Sequence, residues 1–228
     1  MDYSPLIISM KVAVTATLFT FFLGIFAARM VVKLRRFQNA IDGIFTLPMV
    51  LPPTVVGFFL LLLFGKNGLL GQFLASVNLS VVFTWYGAVI ASAVVSFPLM
   101  YRTARGAFEQ VDANLIYAAQ TLGVSESKIF WRIILPNCWP GIVAGTVLSF
   151  ARALGEFGAT TMLAGNIPGK TQTMSLAIYS AVAGNNREKA YQWVTVIMVI
   201  SFVTLFLTNQ LSGSSGRKQR LSRKGATK

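Results

Sequence analysis

The chain has 228 residues, 54% apolar and only 12% charged, with a mean hydropathy of +0.64 and a formal net charge of +13. Those proportions exclude an ordinary soluble domain and place the chain in a bilayer. A single cysteine, Cys138, and the absence of histidine exclude an internal disulfide, a cysteine-based metal site and histidine-based catalysis.

A hydrocarbon core about 30 Å thick needs roughly 20 apolar helical residues, and uncharged runs near that length predict five spans. The first centres on Val12 to Ala28 and reaches about residues 8–32, with Lys11 and Arg29 able to snorkel outward. Its run is too long for the h-region of a secretory signal, no basic residue precedes Lys11, and Arg29 interrupts any cleavage site. It therefore reads as a retained span. The second, 44–64, contains Leu47 to Gly57, LPMVLPPTVVG, in which Pro48, Pro52 and Pro53 break the helix. Carbonyls freed in lipid need partners, so a gate, a pathway wall and a plain kink all fit. The third span is 81–101, where Ala88, Ser92 and Ser96 lay down a small-residue face for close packing.

Between the third and fourth spans lies an amphipathic stretch, residues 111–136, containing YAAQTLGVSESKIFWRIILP from Tyr117. Val111, Leu115, Ala118 and Leu122 recur at spacings of four, three and four, a helical stripe. Gly123 then stands where a left-handed C-terminal cap needs no Cβ. Ser125 is placed to cap a second helix, Glu126 to favour its positive end and Pro136 to stop it. Helix, turn and helix between membrane spans predict a docking element.

The fourth span, 138–163, packs through Gly141 and Gly145 and carries Arg152 and Glu156. Each charge costs about 2.5–3.5 kcal/mol near mid-bilayer if unpaired, so both should face protein or water. On a continuous helix Ser149, Arg152, Glu156 and Thr160 fall within about 80° of arc. They form either a structural i, i+4 pair that pins this helix, or a polar stripe on a translocation path, and the two readings are compatible.

Ala164 to Thr171, AGNIPGKT, fits the loose form of a phosphate-binding loop, but it follows a membrane span rather than a buried strand. A tight turn on Pro168 and Gly169 is expected instead. Met174 to Val182 is too short to span, and residues 193–211 complete the five. Residues 212–228, rich in Ser, Gly, Lys and Arg, read as a basic disordered tail within reach of anionic lipid.

The placement of the cations argues against nucleic acid. With the N-terminus outside, the inner segments hold Arg29, Lys33, Arg35, Arg36, Arg102, Arg105, Lys128, Arg132 and six in the tail, fourteen in all. The outer loops hold four: Lys66, Lys170, Arg187 and Lys189. This is the positive-inside pattern, which puts the docking element and the C-terminus in the cytoplasm of a multi-pass membrane protein.

Tyr117-Ala118-Ala119, three residues, Gly123, nine residues and Ile133-Ile134-Leu135-Pro136 resemble the cytoplasmic signature loop of permeases in ATP-binding-cassette importers. The resemblance spans roughly residues 6–210. Tyr117 stands where that family usually has glutamate, removing one polar contact to the ATPase. More narrowly, LPPTVVG from Leu51, SFPLMYR from Ser96 and FARALGEFGAT from Phe150 resemble the molybdate permease subfamily. The sulfate permeases share ALGEFGA and a loop like Gly165 to Thr173, and the double proline before Thr54 favours molybdate.

The resemblance implies an all-α permease core of five spans, without cofactor or metal and without catalysis of its own. It implies as partners a second copy of the chain, two ATPase subunits and an extracytoplasmic molybdate-binding protein. In the ATPase-coupling set, Ala118 and Ala119 give close approach, Gly123 the turn and Leu122 and Val124 apolar contact, flanked by Tyr117 and Pro136. Thr54, Ser96, Arg152, Glu156 and Thr160 are the candidates for the pathway or gate. A sulfate, thiosulfate or tungstate permease is the main alternative, because tetrahedral dianions differ chiefly in size. A secondary transporter should show an internal repeat with paired broken helices, and only one clear break is legible. An intramembrane enzyme lacks a catalytic set.

Overall fold

The computed structural model describes residues 2–34 and 36–225, with side chains described as far as Phe206. Arg35, residues 226–228 and the side chains of the basic tail lie outside that description. Regular structure among the described residues is entirely helical, in agreement with the expected class.

Helix α1, Ser4–Lys33, opens with Pro5 in its first turn, where a missing N–H costs nothing. Its inner face is made of small residues, Ala13, Ala16, Thr20, Ala27 and Ala28, and packs along α5, Trp85–Glu109. Phe19, Phe22 and Phe26 point outward and are 56%, 66% and 63% exposed. Small residues inside and large apolar ones outside suit a helix whose surroundings are lipid. In water that surface would be an aggregation site.

The expected second span is two helices, α2 Gln38–Val50 and α3 Pro53–Phe64, bent by 110°. The break falls at Leu51 and Pro52. Leu51 precedes a proline and is driven into extended backbone, ψ 142°, while Pro53 opens α3 with a preset φ. Pro48 stays inside α2. After α4, Leu69–Ser76, the third span starts four residues later than its apolar run predicts, because Thr84 caps α5 by accepting the Gly87 N–H.

The expected docking element comprises α6, Ala113–Thr121, and α7, Glu126–Ile129. Pro136 does not stop the second helix, contrary to expectation. α7 continues through a π-helical turn, Phe130–Ile134, into α8, Leu135–Leu154. The wider turn absorbs the N–H that Pro136 cannot supply, and the whole rod, Glu126–Leu154, is long and apolar enough to cross a membrane. α8 lies close against α5: a Cβ on Gly141 would sit 2.7 Å from Ala107 Cβ, and one on Gly145 3.0 Å from Thr103 Cβ. The two glycines give the close approach expected of them, against Ala107 and Thr103.

The fourth span is interrupted where continuity was expected. α8 ends at Leu154, and α9, Gly158–Ala164, begins after a break at Gly155–Phe157. Glu156 Oε1 accepts the Ala159 N–H at 2.7 Å, a side-chain cap that competes with continuation of the helix. α10, Met174–Ala183, follows, and α11 runs Arg187–Gly225. The expected span 193–211 is thus part of a longer helix. Its backbone continues through most of the segment expected to be disordered, consistent with propagation from a helix already nucleated. Among the described residues four helices are long and apolar enough to span, and the count is five when the bent α2–α3 pair is taken as one broken span.

Candidate functional site

Asp112 caps α6, its carboxylate accepting the Asn114 N–H at 2.9 Å. At the other end the Val124 N–H reaches the Ala119 carbonyl, 3.1 Å, and the Gly123 N–H reaches that of Gln120, 2.9 Å. Gly123 has φ 72°, completing a left-handed cap of the kind its position predicts. Ser125 occupies the N-cap of α7, but its side chain makes no capping hydrogen bond, contrary to expectation; its carbonyl accepts the Ile129 N–H instead.

The residues expected to couple separate into two faces. Tyr117, Ala118 and Leu122 are exposed, Leu122 by 81%. Ala119 is buried and Val124 half-buried, and the half-buried Ile116 lines a cavity with Arg29, Phe108 and Phe130. Of the residues expected to meet a partner, Ala119 is therefore covered by its own chain and Val124 partly so, while Gly123 stands exposed at the turn. Pro136 lines an open cavity with Arg102, Gln110, Asp112 and Asn137.

Several residues that hold this element escaped sequence reading. Lys33, in the last turn of α1, pairs with Glu126, and the Arg29 guanidinium lies 3.8 Å over the Phe130 ring, which also meets Phe108 edge-on. The Lys33 pair is exposed on both sides and adds little energy, so Phe130 is the firmer anchor. Nearby, Arg105 of α5 pairs with Asp42 of α2 and with Glu109 at 2.7 Å, while the buried Tyr101 hydroxyl donates to Asp42 at 2.9 Å. Only the i, i+4 spacing of Arg105 and Glu109 was a signal in the sequence.

Of the five pathway candidates, four gather around α9. Glu156 caps it, Thr160 lies within it, and Thr54 borders it, since a Cβ on Gly158 would be 3.1 Å from the Thr54 N. Arg152 Nη1 meets Glu156 Oε2 at 2.7 Å as an ion pair without an aligned hydrogen bond. The Glu156 side chain is 1% exposed, that of Arg152 32%. Thr160 is buried, its hydroxyl without a hydrogen-bond partner among the described residues. The single arc expected for Ser149, Arg152, Glu156 and Thr160 does not exist, because the break lies inside it. Ser96 lies elsewhere: its hydroxyl donates to the Ser92 carbonyl at 2.7 Å, and its own carbonyl accepts from Ser149 at 3.4 Å. It is part of the α5–α8 seam.

Residues 20–211 match the family described as binding-protein-dependent transport system inner membrane component. The chain belongs to that family. It is 41% identical to the molybdenum transport system permease protein ModB of Haemophilus influenzae over 96% of each chain. It is 40% identical to ModB of Escherichia coli K12, covering 92% of this chain and 93% of that one. The sulfate transport system permease protein CysT of Escherichia coli K12 is 36% identical, with 86% of this chain aligned to 73% of that one. Among solved structures, an inward-facing MetNI methionine ABC transporter superposes with a TM-score of 0.75 at 13% identity, covering 92% of this chain and 94% of that one. A bacterial ABC transporter for alginate import gives 0.71 at 19% identity, covering 91% and 79%. At those identities the likeness shows the fold, that of an importer permease in a multi-pass membrane protein. This family member thus carries the helix-turn-helix of α6 and α7 and its broken helices on a known scaffold.

Proposed function

We propose that this chain is the permease subunit of an ATP-driven importer that moves molybdate across the cytoplasmic membrane. It works as a pair of identical copies, bound to two ATPase subunits and supplied by an extracytoplasmic molybdate-binding protein. The N-terminus lies outside and the docking element in the cytoplasm, following the distribution of the cations. One observation carries the choice of cargo: near-full-length identity of 40% and above to permeases named for molybdenum.

The geometry supplies a route for the stroke. The exposed face of α6, with Tyr117, Ala118 and Leu122, meets the ATPase; the buried face, with Ala119 and Val124, passes the load to the bundle. Arg29 and Phe130 tie the start of the rod Glu126–Leu154 to α1. Displacement of its docked end is carried along it to the break at Gly155–Phe157, where Glu156 caps α9 and α9 packs on α3 at Gly57 and Gly158. Thr54, Arg152 and Thr160 are placed at this junction, which we assign to the pathway, and Ser96 is reassigned to packing. The coupling is a free energy shared between a nucleotide site on one chain and an access state of another.

Uptake competition in vesicles carrying the cognate binding protein and ATPase tests the cargo. Labelled molybdate uptake should be suppressed by tungstate and little by sulfate. Sulfate winning that competition would move the chain to the sulfate branch.

A further inference from the structure

Two lysines play no part in docking or in the pathway. Lys11 lies seven residues into α1 from Ser4, about 10 Å along the axis. It shares an outward face with Ile7, Val14 and Leu18, which are 51%, 46% and 54% exposed. An ammonium on a lipid-facing strip is costly unless it snorkels to a polar head group.

Lys170 sits at the tip of the loop 165–173, the run that imitates a phosphate loop. That tip is built by hydrogen bonds. The Ile167 carbonyl accepts the N–H groups of Lys170, Thr171 and Gln172 at 3.1, 2.9 and 3.1 Å, and the Ile167 N–H donates to the buried Thr171 hydroxyl at 3.0 Å. Asn166 and Gln172 brace it further, Asn166 donating to Ser180 at 2.7 Å and Gln172 to Asn166 at 2.9 Å. Gly169, at φ 73°, makes the turn.

Between the two lysines lies a cavity of about 410 Å³, lined by Ser4, Ile7, Lys11, Trp85, Gly169 and Lys170. No carboxylate lines it, and neither lysine has an ion pair among the described residues. Asp2, next to Ser4 in the chain fold, is occupied by the Ser4 N–H and hydroxyl, both at 2.9 Å. The Trp85 indole Nε1 is buried without a partner among the described residues, and Tyr3 and Tyr86 at this end are 61% and 64% exposed. Aromatic residues of this kind mark the head-group level of a bilayer.

We propose that Lys11 and Lys170 clamp the phosphate of an anionic phospholipid head group in this cavity, with an acyl chain lying along Ile7, Val14 and Leu18. A free tetrahedral oxyanion offers the same charge chemistry, but only a lipid also covers the apolar strip beside it. The site requires the chain to be in a membrane and does not depend on which cargo it carries.

Native mass spectrometry of the full-length protein, incubated with equimolar phosphatidylglycerol and phosphatidylcholine, tests this. Each lysine should contribute about fivefold to retention of phosphatidylglycerol. The Lys11→Gln/Lys170→Gln variant should approach parity, Lys66→Gln should match wild type, and millimolar molybdate should leave retention unchanged. Undiminished preference in the double variant, an equal loss in Lys66→Gln, or displacement of the lipid by molybdate would overturn the site. Independently of the lysine variants, 5-doxyl phosphatidylglycerol should quench Trp85 fluorescence, taken as the difference from Trp85→Phe, more than 5-doxyl phosphatidylcholine does. Equal quenching also overturns it.

Discussion

A Cβ placed on Gly57 would lie 2.7 Å from the Cα of Ala159, so α3 and α9 meet backbone against backbone. Two motifs far apart in the chain, LPPTVVG and FARALGEFGAT, thereby form one unit at the break in the fourth span. Gly57→Ala should cost about 1–3 kcal/mol, since a rigid backbone rather than a flexible side-chain tip blocks the added methyl. Gly43→Ala, with open space around it inside α2, should be neutral or gain roughly 0.5–1 kcal/mol. Thermal unfolding of the two variants in detergent measures this. Identical midpoints would mean that α9 moves aside freely.

The two faces of α6 predict opposite phenotypes for two neighbouring substitutions. Leu122→Ser removes an exposed apolar side chain and should change stability by no more than about 0.5 kcal/mol, while ATPase co-purification falls by roughly tenfold. Ala119→Leu forces bulk into a buried site and should destabilise by about 1–3 kcal/mol. The reverse pattern would assign docking to the inner face.

Gly123 is limited by its backbone and not by space: a Cβ added there would meet nothing within 4 Å, yet φ is 72°. Gly123→Asn should therefore transport nearly as well as wild type, because asparagine tolerates left-handed backbone. Gly123→Val costs about 1–2 kcal/mol locally and should reshape the turn, leaving the protein inserted and the ATPase active while uptake drops. Paired ATPase and uptake assays on proteoliposomes decide the matter. A valine variant with intact coupling would count against the docking assignment.

What was legible in the sequence was what local chemistry controls. The apolar runs fell on helices, though the second and fourth are each broken in two, Gly123 announced its own φ, and the small residues Gly141 and Gly145 found their partners on α5. Local patterns failed where a distant or competing contact decides the outcome. Pro136 reads as a stop until a π-turn absorbs its missing N–H, and Glu156 reads as one point on a helical stripe until its carboxylate caps α9. The stripe of Leu115 and Leu122 is visible as amphipathic, but spacing alone does not say which face turns toward the bundle. Asp42, Tyr101 and Arg105 meet across α2 and α5, and no short-range pattern connects the first of them to the other two.

Arg152 and Glu156 allow structure and transport to be separated. Glu156→Gln keeps an acceptor for the Ala159 N–H and leaves behind an arginine already about one-third exposed, so the usual cost of about 3–5 kcal/mol for splitting a buried pair should shrink to roughly 1–2 kcal/mol. Glu156→Ala also strands the Ala159 N–H and should lose roughly a further 1–3 kcal/mol. Arg152→Gln leaves a carboxylate buried without its counter-ion and should be the worse of the two charge deletions. The double variant Arg152→Gln/Glu156→Gln should recover most of that loss, because neither charge is then stranded. Unfolding midpoints should place Glu156→Gln above both Glu156→Ala and Arg152→Gln, and the double variant above Arg152→Gln; a double variant no better than Arg152→Gln alone would mean that stranding the Glu156 charge is not what costs stability. If the junction lies on the pathway, this double variant is stable yet slow in uptake; wild-type uptake from it would leave the pair with a structural role only.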